Sequence, residues 1–214
     1  MKYLFIIISS LFFFNISAQN IDWMSLEQAL EMQKKNPKNI IIDVYTNWCG
    51  PCKLLDKNTF QNKKVADFIN KYYYAVKFNA EGNEVISFDD REFTNPNYEP
   101  ALANRRNGNH QLTRYLGVRA YPTIVFLDTK SDIIYNLKGY NTPSQIEIWL
   151  KLFKDESHKN IKSQEDFNNF QKFIKSSRYA IGMDRKSSNP SFFRPRRTLC
   201  SLKSVPRTHR LGAV

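Results

Sequence analysis

Ile40-Ile41-Ile42-Asp43-Val44-Tyr45-Thr46-Asn47-Trp48-Cys49-Gly50-Pro51-Cys52-Lys53 decides how this chain is read. Its first half is β-branched and aromatic apart from one aspartate, the composition of a buried strand. From Lys53 to Tyr72 the apolar residues Leu54, Leu55, Phe60, Val65, Phe68, Ile69 and Tyr72 follow largely helical spacing, with an interruption near Asn58-Thr59. The two cysteines therefore stand at a strand-to-helix junction, with the first at a helix N-terminus. Unpaired backbone N–H groups and the helix dipole favour a thiolate there. Thiolate is the attacking species in disulfide exchange.

Two plainer readings compete. A structural zinc site needs four ligands, yet only Cys200, His110, His158 and His209 remain, scattered along the chain; no metal is expected. A purely structural bridge over so short a loop removes little chain entropy, so it suits reversible use better than stapling. Redox use is the stronger reading, and thiol chemistry of this kind calls for no cofactor.

The segment Trp48-Cys49-Gly50-Pro51-Cys52-Lys53 resembles the signature of the thioredoxin superfamily. Asp43, six residues before Cys49, resembles the family's buried aspartate, and Tyr121-Pro122-Thr123 its cis-proline segment. Lys77 matches the lysine beside that aspartate in many members. The run Cys52–Phe60 is similar to secreted thioredoxin-like proteins and to the C-terminal domains of thiol:disulfide interchange proteins. The resemblance spans about residues 21–153. It implies an α/β thioredoxin fold, a central mixed sheet flanked by helices, with an insertion before the cis-Pro segment.

It also implies roles. Cys49 is the exposed nucleophile that forms a mixed disulfide, and Cys52, more buried, resolves it; the two close a disulfide in the oxidised form. Asp43 is placed as the base that helps Cys52 lose its proton, the alternative being a strand-end carboxylate that reaches solvent. Lys77 either tunes Asp43 or is a plain surface lysine. Pro122, if cis, sits by the thiols without an N–H and leaves the Tyr121 backbone free to pair with an extended substrate. Trp48 and Tyr121 form an apolar rim, and Gly50 and Pro51 shape the turn a substrate meets, Pro51 stiffening the start of the helix.

Around this centre the chain divides by composition. Lys2, a twelve-residue apolar run over Tyr3–Phe14 broken at Ser9-Ser10, and a small residue at Ala18 read as a signal peptide over 1–18. The run is too short to span a bilayer; Ile16 near the cleavage point keeps an uncleaved anchor as the alternative. Export, to a bacterial periplasm or outside the cell, places the dithiol where disulfides persist. Residues 19–155 form the domain. Within it a helix is expected over Asp22–Lys35, strands over Lys71–Phe78 and Thr123–Leu127, an antiparallel strand over Ile133–Leu137, and a last helix over Ser144–Lys154. Forty-four residues separate Lys77 from Pro122; part, about Gln111–Leu116, reads as a helix, and the rest as a surface excursion near the site. That excursion is either a specificity element or a solvated loop.

Residues 156–177 read as an extension of helical character. The net charge of +12 invites a nucleic-acid reading, but residues 178–214 hold nine Lys and Arg against Asp184 alone, leaving +4 for the first 177. That Ser-, Pro- and Arg-rich segment reads as a basic, disordered tail, and nucleic acid is not an expected partner. The expected function is an exported thiol–disulfide oxidoreductase acting on protein disulfides or dithiols, as a monomer, supplied by a membrane electron donor. Gly-Pro between the cysteines resembles reducing members. A redox-dependent binding or chaperone module without turnover is the alternative.

Overall fold

The structure, a computed structural model, describes residues 20–154 and 156–180, with side chains described to 177. The signal-peptide reading of 1–18 and almost all of the basic segment lie outside the described residues. By internal contacts the chain divides into two units, 1–171 and 172–214, the second described only over residues 172–180, which are helical.

The first unit is built on a five-stranded sheet. Strands β1 (Trp23–Met24), β3 (Tyr73–Asn79) and β2 (Asn39–Tyr45) run parallel, and β6 (Thr123–Leu127) and β7 (Ile133–Lys138) continue the sheet antiparallel, in the order β1-β3-β2-β6-β7. Helix α1 (Leu26–Lys35) crosses between β1 and β2. Helix α2 (Gly50–Leu55), a π-helical turn (Asp56–Phe60) and α3 (Lys63–Tyr72) join β2 to β3. β2 is central and buried along its length, so it reads as an unbroken apolar run rather than an alternation.

Successive side chains of β2 still point to opposite faces. Ile40, Ile42 and Val44 enter one core with Leu26, Ala29, Val76, Phe78 and Val125. Ile41 enters the other with Leu55, Phe60, Ile69, Tyr73, Phe126 and Ile146. Parity puts Asp43 with Ile41, on the face that carries α2.

The structure moves two expected boundaries. Trp23 and Met24 do not begin a helix: they pair with Ala75 and Val76, and α1 starts after Ser25, whose hydroxyl and Gln28 cap each other reciprocally. The interruption expected near Asn58-Thr59 is the π-turn, after which Asn62 caps α3 by accepting from Lys64 and Val65 N–H.

The long segment between β3 and β6 is a surface excursion only over residues 96–107, which are exposed or half-buried; much of the rest folds in. It forms a hairpin, β4 (Ile86–Phe88) and β5 (Arg91–Phe93), a 3₁₀ turn over Pro100–Leu102, and α4 (Gln111–Tyr115). Ile86, Phe88 and Phe93 bury themselves in the same core as Leu112 and Leu116. Apolar residues alternating with polar ones and followed by charges, as in Ile86-Ser87-Phe88-Asp89-Asp90, look solvated in sequence but fold in as an alternating hairpin.

The Tyr121–Pro122 peptide is cis, and the Pro122 carbonyl accepts from Gly139 N–H at 2.8 Å. After β7, α5 (Pro143–Lys154) covers the second core, followed by a 3₁₀ turn (Ser157–Asn160) and α6 (Gln164–Ala180). Helix α6 thus continues three residues past the composition break at 178. Among the described residues no helix is long and apolar enough to cross a membrane.

Candidate active site

Cys49 is the N-cap of α2: its backbone is extended (φ −75°, ψ 103°) and Pro51 occupies the first turn, where a missing N–H costs nothing. Cys49 and Cys52 form a disulfide with a Cα–Cα distance of 5.3 Å. The Cys49 Sγ accepts from the Cys52 N–H at 3.1 Å. That contact is how a helix start stabilises negative charge on sulfur.

Cys49 was expected exposed and Cys52 buried. Both are buried in the oxidised protein, at 3% and 4% exposure. The bridged Cys49 sulfur lies at the first turn of α2, where it accepts from the Cys52 amide. Cβ space at Gly50 is open, with nothing within 4 Å.

Asp43 lies 2% exposed. Its Oδ1 has no hydrogen-bond partner, and its Oδ2 is 3.6 Å from Lys77 Nζ, the neighbour in register on β3. Burial pushes the Asp43 carboxyl up to about 7, against the pull of the Lys77 cation and with a further push from the Asp56 carboxylate. Lys77 is therefore no plain surface lysine. Its ammonium also pairs with Asp56 and lies over the rings of Trp23 and Tyr45, at 5.1 and 5.2 Å. Asp56 falls four residues after Cys52, one turn along the helix, and that spacing was the signal available for it in the sequence.

Trp48 and Tyr121, expected as an apolar rim, pack edge to face with centroids 6.2 Å apart. What the sequence concealed is how firmly the inserted segment holds them. Glu81 is 8% exposed, and one oxygen, Oε2, accepts both the Trp48 indole N–H at 2.7 Å and the Asn107 backbone N–H at 3.0 Å. The Asn47 amide donates to the Ala103 carbonyl at 2.7 Å. The Tyr121 hydroxyl donates to Asn109 Oδ1 at 3.1 Å, and burial followed by the Glu81 charge pushes that phenol up to about 12.

The loop itself is braced by the Asn95 amide, which donates to the Gly82 and Gly108 carbonyls at 2.9 and 2.6 Å. Gly108 passes so close to Asn97 that an added Cβ would lie 2.4 Å from its carbonyl oxygen. Arg106 lies over the Trp48 ring at 4.9 Å.

Glu81→Ala removes the acceptor of two donors at once. It should lower stability by about 2 kcal/mol, read by urea unfolding of the oxidised protein, while Glu81→Gln, which keeps one acceptor oxygen, should recover most of the loss. Equal losses in the two variants would show that the carboxylate's acceptor role does not matter.

A disulfide at a helix start, a buried carboxylate of raised pKa on the same sheet face and a cis-proline segment beside an aromatic rim together define a protein of thioredoxin type. A family model described as a thioredoxin-like domain matches residues 26–154, and the chain belongs to that family of thiol–disulfide oxidoreductases. Relatives include the thiol:disulfide interchange protein DsbD of Photorhabdus laumondii, 26% identical over 109 residues, which are 51% of this chain and 15% of that protein. The thiol-disulfide oxidoreductase ResA of Bacillus thuringiensis is 23% identical over 129 residues, 57% of this chain and 67% of that one. The chain thus spans only a small part of the DsbD it matches. A thioredoxin-fold protein from Helicobacter pylori superposes with a TM-score of 0.50 at 21% identity, over 68% of this chain and 87% of that one.

Proposed function

We infer that this protein is an exported oxidoreductase that reduces disulfides of other proteins through Cys49 and Cys52. The observation that carries the reading is the oxidised pair at the start of α2, with Cys49 Sγ held by the Cys52 amide, together with the raised carboxyl of Asp43 on the sheet face that carries α2. In the reduced protein the Cys49 thiolate attacks a substrate disulfide, forming a mixed disulfide and releasing the partner sulfur as a thiolate. Asp43 takes the proton of Cys52, whose thiolate displaces the substrate and regenerates the bridge. Two electrons pass to the substrate, so an external dithiol must restore the pair. An exported protein would receive it through a membrane-borne donor.

Support for the direction comes from Gly50-Pro51 between the cysteines, the spacer of reducing thioredoxins. The charged start and short apolar run of residues 1–18 support export. Turnover of a protein disulfide such as insulin, with dithiothreitol as donor, should be ready in the wild type and absent in Cys49→Ser. Equilibration with glutathione should place the Cys49–Cys52 potential near thioredoxin's, about −270 mV; a value near about −120 mV would make the protein an oxidant and overturn the direction.

A further inference from the structure

Arg106 has no role in the chemistry above, yet it is the cation the fold has placed at the rim. It sits in the braced loop 95–109, exposed, with its guanidinium 4.9 Å from the Trp48 ring centroid. The indole beneath it cannot swing, because Glu81 holds its N–H at 2.7 Å. The same Glu81 oxygen fixes the backbone of Asn107, the next residue. Stacking and loop together give the guanidinium a defined place before any partner arrives.

A guanidinium held by a ring rather than by an acid still has N–H donors to offer, in a fork that suits a carboxylate. Among the described residues no carboxylate lies within ion-pair distance of it. Glu81, the acid that holds Trp48, already has one oxygen committed to two donors. The fold thus keeps a preorganised, unpaired cation against the residue that precedes the attacking cysteine. Arg105 beside it and Arg119, two residues before Tyr121, are also exposed.

We propose that Arg106 is a specificity-determining residue that selects substrate disulfides flanked by a carboxylate, an Asp or Glu side chain next to the attacked cysteine. The proposal rests on the functional reading above. A substrate strand lying along the Tyr121-Pro122 backbone, with its disulfide over Cys49, would carry its flanking residues past Trp48, where the guanidinium waits.

The test uses the full chain, reduced with dithiothreitol and freed of excess, against disulfide-linked fluorescent peptides differing only in a Glu, Gln or Lys beside the cysteine. Each event moves two electrons from the Cys49/Cys52 dithiol to the peptide disulfide, releasing two peptide thiols and leaving the chain oxidised. The wild type should reduce the Glu peptide about fivefold faster than the Gln peptide, the upper range for an exposed ion pair, and the Lys peptide slower still. Molar salt should collapse the difference.

In Arg106→Gln the Glu-to-Gln ratio should fall to about one, and Arg106→Glu should reverse the order. A wild-type ratio of one, or a preference that survives in Arg106→Gln, overturns the proposal and leaves the oxidoreductase reading standing. Failure to reduce any of the peptides, with insulin also untouched, would remove both.

Discussion

Replacing Cys52 by serine is expected to reduce catalytic turnover of a protein disulfide to background while leaving attack by Cys49 intact. Position 49 keeps the N-cap of α2, the Cys52 backbone N–H remains at residue 52 whatever its side chain, and Pro51 and the rim are unchanged. The Cys49 thiolate therefore still opens a substrate disulfide. Without a second thiol the mixed disulfide has no internal exit, so covalent complexes accumulate, visible as reducible species on non-reducing gels and as an added mass on Cys49. Serine at 49 removes the complexes as well as the turnover. The pair of variants also separates catalysis from non-covalent holding. A redox-dependent binding module without turnover would hold partners non-covalently and show no catalytic reduction to lose, and unchanged insulin reduction in Cys52→Ser would dispose of the resolving role.

How much of this was legible beforehand follows from how local each feature is. The dithiol at a strand-to-helix junction, Asp43 in its apolar strand and the helix after the motif are written in contiguous residues with one period, so they could be read directly. The cis state of Tyr121–Pro122 could only be expected through resemblance, because a proline opening an apolar run is more often trans at a strand edge. β1 was hidden because two residues cannot display a strand's period, and Trp23 also fits a helical stripe. The inserted segment misled for a different reason. Its charges, prolines and glycines are those of a loop, while its buried residues are spaced as a hairpin whose partner strand lies in the same segment. Glu81 and Asn107 are 26 positions apart and meet Trp48 only when that segment has folded. Contacts of that range leave no periodic trace, and their donors and acceptors are ordinary polar residues until the fold aligns them.

Asp43→Asn should move stability and activity in opposite directions, each with its own pH dependence. The Asp43 carboxyl has an ordinary value of 3.8 and stands at about 7 in the folded, oxidised protein, first through burial. The folded state therefore holds this proton more tightly than the unfolded chain. Its contribution to stability is complete below about pH 4 and is lost as pH rises to about 7, above which folding carries a buried charge. A shift of that size corresponds to about 4 kcal/mol, and an asparagine amide with an unpaired atom in the same place should recover about 2 of it. Urea unfolding of the oxidised protein should thus find Asp43→Asn more stable than wild type at pH 8, with the gain disappearing towards pH 4. Activity should go the other way. With no base for the Cys52 proton, resolution of the mixed disulfide should slow about a hundredfold, within the range for general-base assistance, and the rate should lose its inflection near pH 7. Lys77→Met supplies the complementary shift: removing the cation 3.6 Å from Asp43 Oδ2 moves the inflection to higher pH. A variant at position 43 that is as active as wild type across this range would show that the buried carboxylate does not serve the thiols, and a stability change independent of pH would show that it is not the charge being buried.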